Sequence, residues 1–419
     1  MQLIRRHAPW VAILSLGLSL GLGAWAQFQA PSPTQAAASA PAPPKPFEVH
    51  FAHQDSMLPM RALIESGELE KATGYKIHWR RLGGGGDVLK AMAAGEVQIG
   101  EAASTSIAQA ASKSQNFKLF WILDDIADSE ALVVRKDSSI KSIADLKGKR
   151  VGTPFGSTAH YQLMAALKQV GLSAKDLDLE NMRPQEIASA WKNGDIDAAF
   201  IWDPVLAKIK YADKVVKVPQ TIKRDLYDQS GKKTGTTAKV EMVDKVEKDP
   251  HRILATSGAI AKKGFAAFDG LVVDAQWAAR NEGFMLALVQ ALAKADDEYR
   301  KSGAQWTLDA PQVQAAARIS RSMAREVPDA MKLFKFPTLA EQASPAWLGV
   351  VEPKSAGATV AAGKPAAPPV WSNPAAGGAA KSLADQAAFL KAQNRIQEVK
   401  SDYRYYVTDS YVKKALAAK

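Results

Sequence analysis

The run Pro154-Phe155-Gly156-Ser157-Thr158-Ala159-His160 decides the fold, read with what stands on either side of it. Before it, Asp145-Leu146-Lys147-Gly148-Lys149-Arg150-Val151-Gly152 is a turn feeding a strand. After it, Trp191-Lys192-Asn193-Gly194-Asp195-Ile196-Asp197-Ala198-Ala199 closes into a second strand. Ser157 or Thr158 is a natural N-cap, and Leu163, Met164, Leu167 and Val170 recur behind it as the apolar stripe of a helix. Strand, turn, helix and strand in this order predict an α/β domain. A helix start with small hydroxyl residues beside a glycine also presents free N–H groups and the positive end of its dipole to an anion.

The same device recurs twice. Leu82-Gly83-Gly84-Gly85-Gly86-Asp87 precedes Val88, Leu89 and Met92 at helical spacing, and Glu101-Ala102-Ala103-Ser104-Thr105-Ser106 precedes a helix with Ile107 and Ala111. The four glycines let the backbone approach a ligand and adopt positive φ, but they lack the last glycine and the distant acid of a dinucleotide fingerprint. Each copy follows a strand-like run, so all three are expected at the carboxyl ends of parallel strands, where open α/β sheets bind ligands. Ala94-Gly95-Glu96-Val97-Gln98-Ile99-Gly100 echoes Asn193-Gly194-Asp195-Ile196-Asp197-Ala198-Ala199: a helix-stop glycine, an acid, then a strand. Two similar lobes facing one cleft follow from that echo.

At the amino terminus, Arg5 and Arg6 precede an apolar run from Trp10 to Leu22, and Ala24-Trp25-Ala26 is a small-x-small cleavage site. The run is shorter than the roughly 20 residues of a membrane span. Residues 1–26 therefore read as a cleavable signal peptide and predict export to the periplasm, and residues 27–46, mostly Ala, Pro, Ser and Gln, read as a flexible linker. The chain has no cysteine, which excludes a lipobox, a disulfide framework and thiolate chemistry. Its 419 residues, 47% hydrophobic, suffice for two lobes of ordinary size. Net charge is +11, falling to about +9 without Arg5 and Arg6. The lysines are mixed with acids (Lys245, Glu247, Lys248, Asp249) and no nucleic-acid module is present, so the charge is a solvated surface and no nucleic-acid partner is expected.

Two further tracts interrupt the pattern. Residues 222–257 are rich in lysine and acids with Ser230-Gly231 as a turn, and read as an exposed insertion. Residues 353–380 are rich in Ala, Gly and Pro and read as a disordered loop. Beyond it Leu383, Ala387, Phe389, Leu390 and Ile396 mark a closing helix, and Tyr403, Tyr405, Tyr406, Val407 and Tyr411 an aromatic tail that docks the C-terminus.

Taken together, Gly95-Glu96-Val97-Gln98-Ile99-Gly100, Asp128-Ser129-Glu130-Ala131-Leu132-Val133-Val134, Gly156-Ser157-Thr158-Ala159-His160-Tyr161, Gly194-Asp195-Ile196-Asp197-Ala198 and Trp202-Asp203-Pro204 resemble the periplasmic taurine-binding proteins of ABC importers, within a wider group of aliphatic sulfonate and nitrate binders. The resemblance runs from Phe47 to residue 215, resumes at Phe268-Asp269-Gly270-Leu271-Val272-Val273 and returns in the C-terminal helix and tyrosine tail. It implies a two-lobed periplasmic binding protein of type II, each lobe a mostly parallel sheet flanked by helices. Lobe 1 would be residues 47–134 and 269–419, and lobe 2 residues 135–268. Leu132-Val133-Val134 and Leu271-Val272-Val273 would be the hinge strands. The partners implied are a small ligand and the permease and ATPase subunits of an importer, with the receptor itself a monomer.

A taurine-like ligand has a sulfonate and an ammonium, so its site needs opposite devices. Ser157, Thr158, Gly85, Gly86 and Ser104 would hold the sulfonate. Glu130 or Asp269 would face the ammonium, with Asp203 as a further candidate, and Trp202 or Phe155 would wall the two-carbon stem. Gln54 and His160 complete the expected contacts. Glu101, Asp128 and Asp203 depart from the taurine binders' pattern, and acid near the cleft would favour a more cationic ligand. No metal site, cofactor or catalytic constellation is expected. His50 and His53, three apart on a strand, point to opposite faces, and neither a Gly-x-Ser-x-Gly elbow nor a P-loop occurs. His160 beside Ser157 is a capping or ligand-contact pair rather than a nucleophile and its base.

Overall fold

The computed structural model describes residues 47–210, 212–248, 251–349 and 378–418. The signal peptide and linker read in residues 1–46, and most of the tract at 353–380, lie outside the described residues; the closing helix begins at Gly378.

Among the described residues, twelve strands form three sheets. They are β1 (Phe47–His53), β2 (Tyr75–Arg81), β3 (Ile99–Ala103), β4 (Phe117–Asp125), β5 (Glu130–Arg135), β6 (Arg150–Thr153), β7 (Asp178–Asn181), β8 (Ala198–Trp202), β9 (Asp213–Tyr227), β10 (Lys233–Lys248), β11 (His251–Thr256) and β12 (Phe268–Asp274). The first lobe is built on the order β2-β1-β3-β12-β4, the second on β11-β5-β8-β6-β7. Within each, the first lobe's β2, β1 and β3 and the second's β7, β6 and β8 pair in parallel. One reversed strand, β12 or β5, pairs antiparallel with both neighbours. The architecture is two-lobed α/β with mostly parallel sheets.

The central strands are largely apolar because both of their faces are covered. In β5, Leu132 and Val134 point to one side and pack with Ala159, Leu163 and Leu167. Ala131 and Val133 point to the other, with Ile187, Trp191 and Leu206. The helix behind the opening motif spans Thr158–Gln169, and its buried stripe is Ala159, Leu163, Ala166 and Leu167. Val170, expected on that stripe, lies past the last turn and is exposed. The echo between the lobes is a matter of backbone geometry: Gly95 and Gly194 follow helix ends with φ of 76° and 79°, a region that favours glycine.

The crossings differ from the expected hinge strands. Leu132–Val134 pairs with Ala198–Phe200 inside the second sheet, so the chain leaves the first lobe earlier, between Asp125 and Glu130. Leu271–Val273 lies inside the first sheet, and the return occurs between Ala261 and Phe268. The first crossing is tied to the Ser257–Ala261 helix, which leads into the return, where Gly258 N–H donates to the Ala127 carbonyl (2.5 Å), and Ala127 itself sits at φ 45°. The exposed insertion is also displaced. Residues 213–248 form a long hairpin, whereas His251–Thr256 is the edge strand of the second sheet. At the C-terminus Tyr403 and Tyr406 are buried in the first lobe's core and Tyr405 is exposed.

Candidate functional site

Three helices start at one place between the lobes: Gly85–Ala93 after β2, Ser104–Ser112 after β3, and Thr158–Gln169 after β6. Their first turns line a cavity of about 260 Å³, a size suited to a small solute. A larger groove of about 650 Å³ lies among Leu63, Lys294 and Ala315 on the outside of the first lobe and receives no strand end. The cavity between the lobes is therefore the candidate site.

Of the expected residues, Gln54, Gly85, Gly86, Glu130, Phe155, Ser157, Thr158, Trp202, Asp203 and Asp269 line this cavity. Ser104 and His160 do not. Ser104 is fully buried and its Oγ accepts from Phe268 N–H (3.2 Å), which ties the first turn of its helix to β12. His160 is tucked behind the loop: its ring stacks on Phe155 at 4.6 Å and Nδ1 accepts from Gly156 N–H (3.1 Å). Burial, helped by Arg395, lowers its pKa to about 4, so it is a neutral support for the Phe155–Gly156 turn.

The hydroxyls have other uses too. Ser157 Oγ donates to Pro154 O (2.6 Å) and accepts from His160 N–H (3.2 Å) as an N-cap. Thr158 Oγ1 donates to Glu130 Oε1. None of Gly83, Gly84, Gly85 and Gly86 has the positive φ expected of them. Gly85 is needed for close approach, since a Cβ there would meet Ser106 at 3.0 Å, while at Gly86 it would meet nothing. The loop thus presents bare backbone to the cavity.

The acids divide into neutralised and available groups. Glu101 lies behind the cavity in a fully buried pair with Arg61 (2.7 Å), and also accepts from Gln54 N–H (3.2 Å). Asp128 is exposed and outside the cavity lining. Glu130 is buried and accepts from Thr158 and from Ser257 Oγ (3.1 Å). Burial outweighs these bonds and raises its pKa to about 7. Asp203 accepts from Ala207 N–H (2.7 Å), capping the Val205–Lys210 helix, and burial raises it to about 6. Asp269 takes no hydrogen bond from the described residues. Burial and then the charges of Glu101 and Glu130 hold it well above the carboxylate range, with Arg61 opposing.

Three groups escaped the sequence reading. Arg395 reaches the cavity from beyond the Gly378–Ala392 helix, its guanidinium 5.9 Å from the centre of the Phe155 ring. Thr105 lines the cavity with a buried, unpartnered Oγ1. Asp124 on β4 is fully buried, stands opposite Asp269 in the β12–β4 register, and has no hydrogen-bond partner on either oxygen. No motif marks Arg395, which lies in a stretch read as packing. The acids at the end of β4 stand out after the apolar run Leu119–Leu123. Among the described residues no three His, Asp or Glu are grouped to hold a metal, and no helix is long and apolar enough to cross a membrane.

The family profile described as the substrate-binding domain of an ABC-type glycine betaine transport system matches residues 64–335. The taurine-binding periplasmic protein of Escherichia coli K12 is 27% identical over 364 residues, 87% of this chain and 92% of its own length. Among solved structures, the periplasmic aliphatic sulphonate-binding protein of Escherichia coli superposes with a TM-score of 0.60 at 18% identity, covering 87% of this chain and 92% of that one. The desulfurization enzyme DSZB has the same fold, with a TM-score of 0.53 at 14% identity over 89% of this chain and 99% of its own.

Proposed function

Since the chain belongs to the family of substrate-binding domains of ABC-type transport systems, we propose that it is a periplasmic receptor that captures a small zwitterionic sulfonate of the taurine type. It would deliver this solute, unchanged, to the permease and ATPase subunits of an importer. The observation that carries the reading is the division of charge in one small cavity. Three helix starts and Arg395 supply the positive side, and Glu130, Asp203 and Asp269 supply the carboxylates.

The sulfonate is assigned to the bare N–H groups of the Gly83–Gly86 loop and of Thr158, with Thr105 Oγ1 and Arg395 beside them. The ammonium is assigned to Asp269, which lacks any donor of its own, with Glu130 behind Thr158. Trp202 and Phe155 wall the carbon stem. A cationic amine is the second reading, favoured by three carboxylates against one arginine in the lining.

Titration calorimetry of the exported chain, freed of co-purifying solute, tests this. Its intact mass should begin at Gln27. Taurine should bind at least about tenfold more tightly than ethanesulfonate, a difference of roughly 1.4 kcal/mol. Asp269→Asn should remove most of that preference while leaving ethanesulfonate as it was. Tighter binding of a plain amine than of taurine would establish the second reading, and a mass that includes Met1 would end the assignment of a cleaved signal.

A further inference from the structure

β9 and β10 form a two-stranded sheet that no third strand joins among the described residues. Between Lys217 and Lys245 no residue is buried. Four of the nine large hydrophobic residues exposed among the described residues lie here: Leu226 (50%), Tyr227 (62%), Val240 (63%) and Met242 (56%). An isolated hairpin of this length is marginal in water, and its open edges are templates for another strand. The two edges are not equal. β9 contains Pro219, which an edge strand accommodates with its missing N–H turned outward, so that edge pairs poorly. β10 has no proline.

We propose that the β10 edge joins the β10 edge of a second copy of this chain, making a four-stranded antiparallel sheet about a two-fold axis at Val240. Charge complementarity suits a second copy of the same edge at this register. With Val240 opposite itself, Lys239 faces Glu241 of the second copy and Glu241 faces its Lys239, while Met242 faces Ala238. Moving the axis to Lys239 sets lysine against lysine, and moving it to Glu241 sets glutamate against glutamate. Pairing at Val240 also unites the apolar face, because Pro219 lies beside Met242, and Thr221 beside Val240, within each ribbon. The receptor is then a reversible dimer through the insertion, in place of the monomer expected from its sequence.

Sedimentation velocity of the full mature chain at up to about 100 µM tests the interface, with taurine titration of each variant as an independent check of the cavity. Wild type should show a concentration-dependent dimer. Glu241→Lys, which brings lysines face to face twice, should weaken it at least about tenfold. Lys239→Glu combined with Glu241→Lys restores opposite charges and should restore the dimer. Taurine affinity should be the same in all three, so that failure of the solute assignment and failure of this one are separable. A wild type that stays monomeric, a dimer that survives Glu241→Lys, or a double variant that does not recover would each overturn the proposal.

Discussion

Glu130 accepts bonds from Thr158 and Ser257 and still holds its proton to about pH 7, because burial outweighs both donors. The folded state therefore binds this proton more tightly than the unfolded chain, whose glutamate titrates near 4.5. Its contribution to stability is complete below the unfolded value and is lost as pH rises through about 7. The full span is on the order of 3 kcal/mol. Glu130→Gln keeps the shape and removes the titration. The solute-free variant should lose less melting temperature than wild type between pH 5 and pH 7.5. Some slope should persist, since Asp124, Asp203 and Asp269 are shifted in the same direction. An unchanged slope in the variant would show that Glu130 is not the group that titrates. The opposite should hold for capture of an ammonium, which needs the ionised carboxylate.

The elements that carry the site are placed by packing as well as by their own sequence. Gly100 on β3 lies under the Gly85–Ala93 helix, where a Cβ would come within 2.2 Å of Val88 Cγ1. Gly100→Ala should push that helix from the sheet at a cost of about 1–3 kcal/mol, moving the glycine loop with it. Melting temperature and taurine affinity should fall together, and Val88→Ala in the same chain should recover part of both. Loss of neither would mean that this contact does not set the helix. Such dependence explains what the sequence disclosed. Helix starts and strands were legible because caps, glycines and periodicity are local, and ten of the twelve expected residues line the cavity. Leu132–Val134 read as a hinge because a strand covered on both faces looks alike in either sheet, and pairing that fixes its lobe is long-range. Ser104 and His160 have the right chemistry, but their side chains turn inward to Phe268 and Gly156. Arg395 arrives through a tertiary contact that no local pattern announces.

At the scale of the whole molecule, two short crossings join the lobes, the first bonded at Ala127 to Gly258 in the helix that leads into the second, which is the geometry of a hinge behind a cleft. Taurine should draw the lobes together, giving a smaller radius of gyration by solution scattering, and should be recovered intact after binding. Conversion to a product would place the chain with enzymes of this fold. The lobes also meet through a contact outside the cavity. Phe389 of the first lobe lies 5.2 Å from the His160 ring and 5.3 Å from the Tyr161 ring of the second. Aromatic pairs are worth about 0.5–1.5 kcal/mol each, so these two can bias the lobes toward approach by up to on the order of a hundredfold whether or not solute is present. A receptor that shuts on nothing still competes for the importer, and every such encounter blocks a loaded copy. In a receptor of this family, a single phenyl ring at such a place is expected to tune throughput. More contact there crowds the transporter with blanks, and less lets cargo escape before delivery.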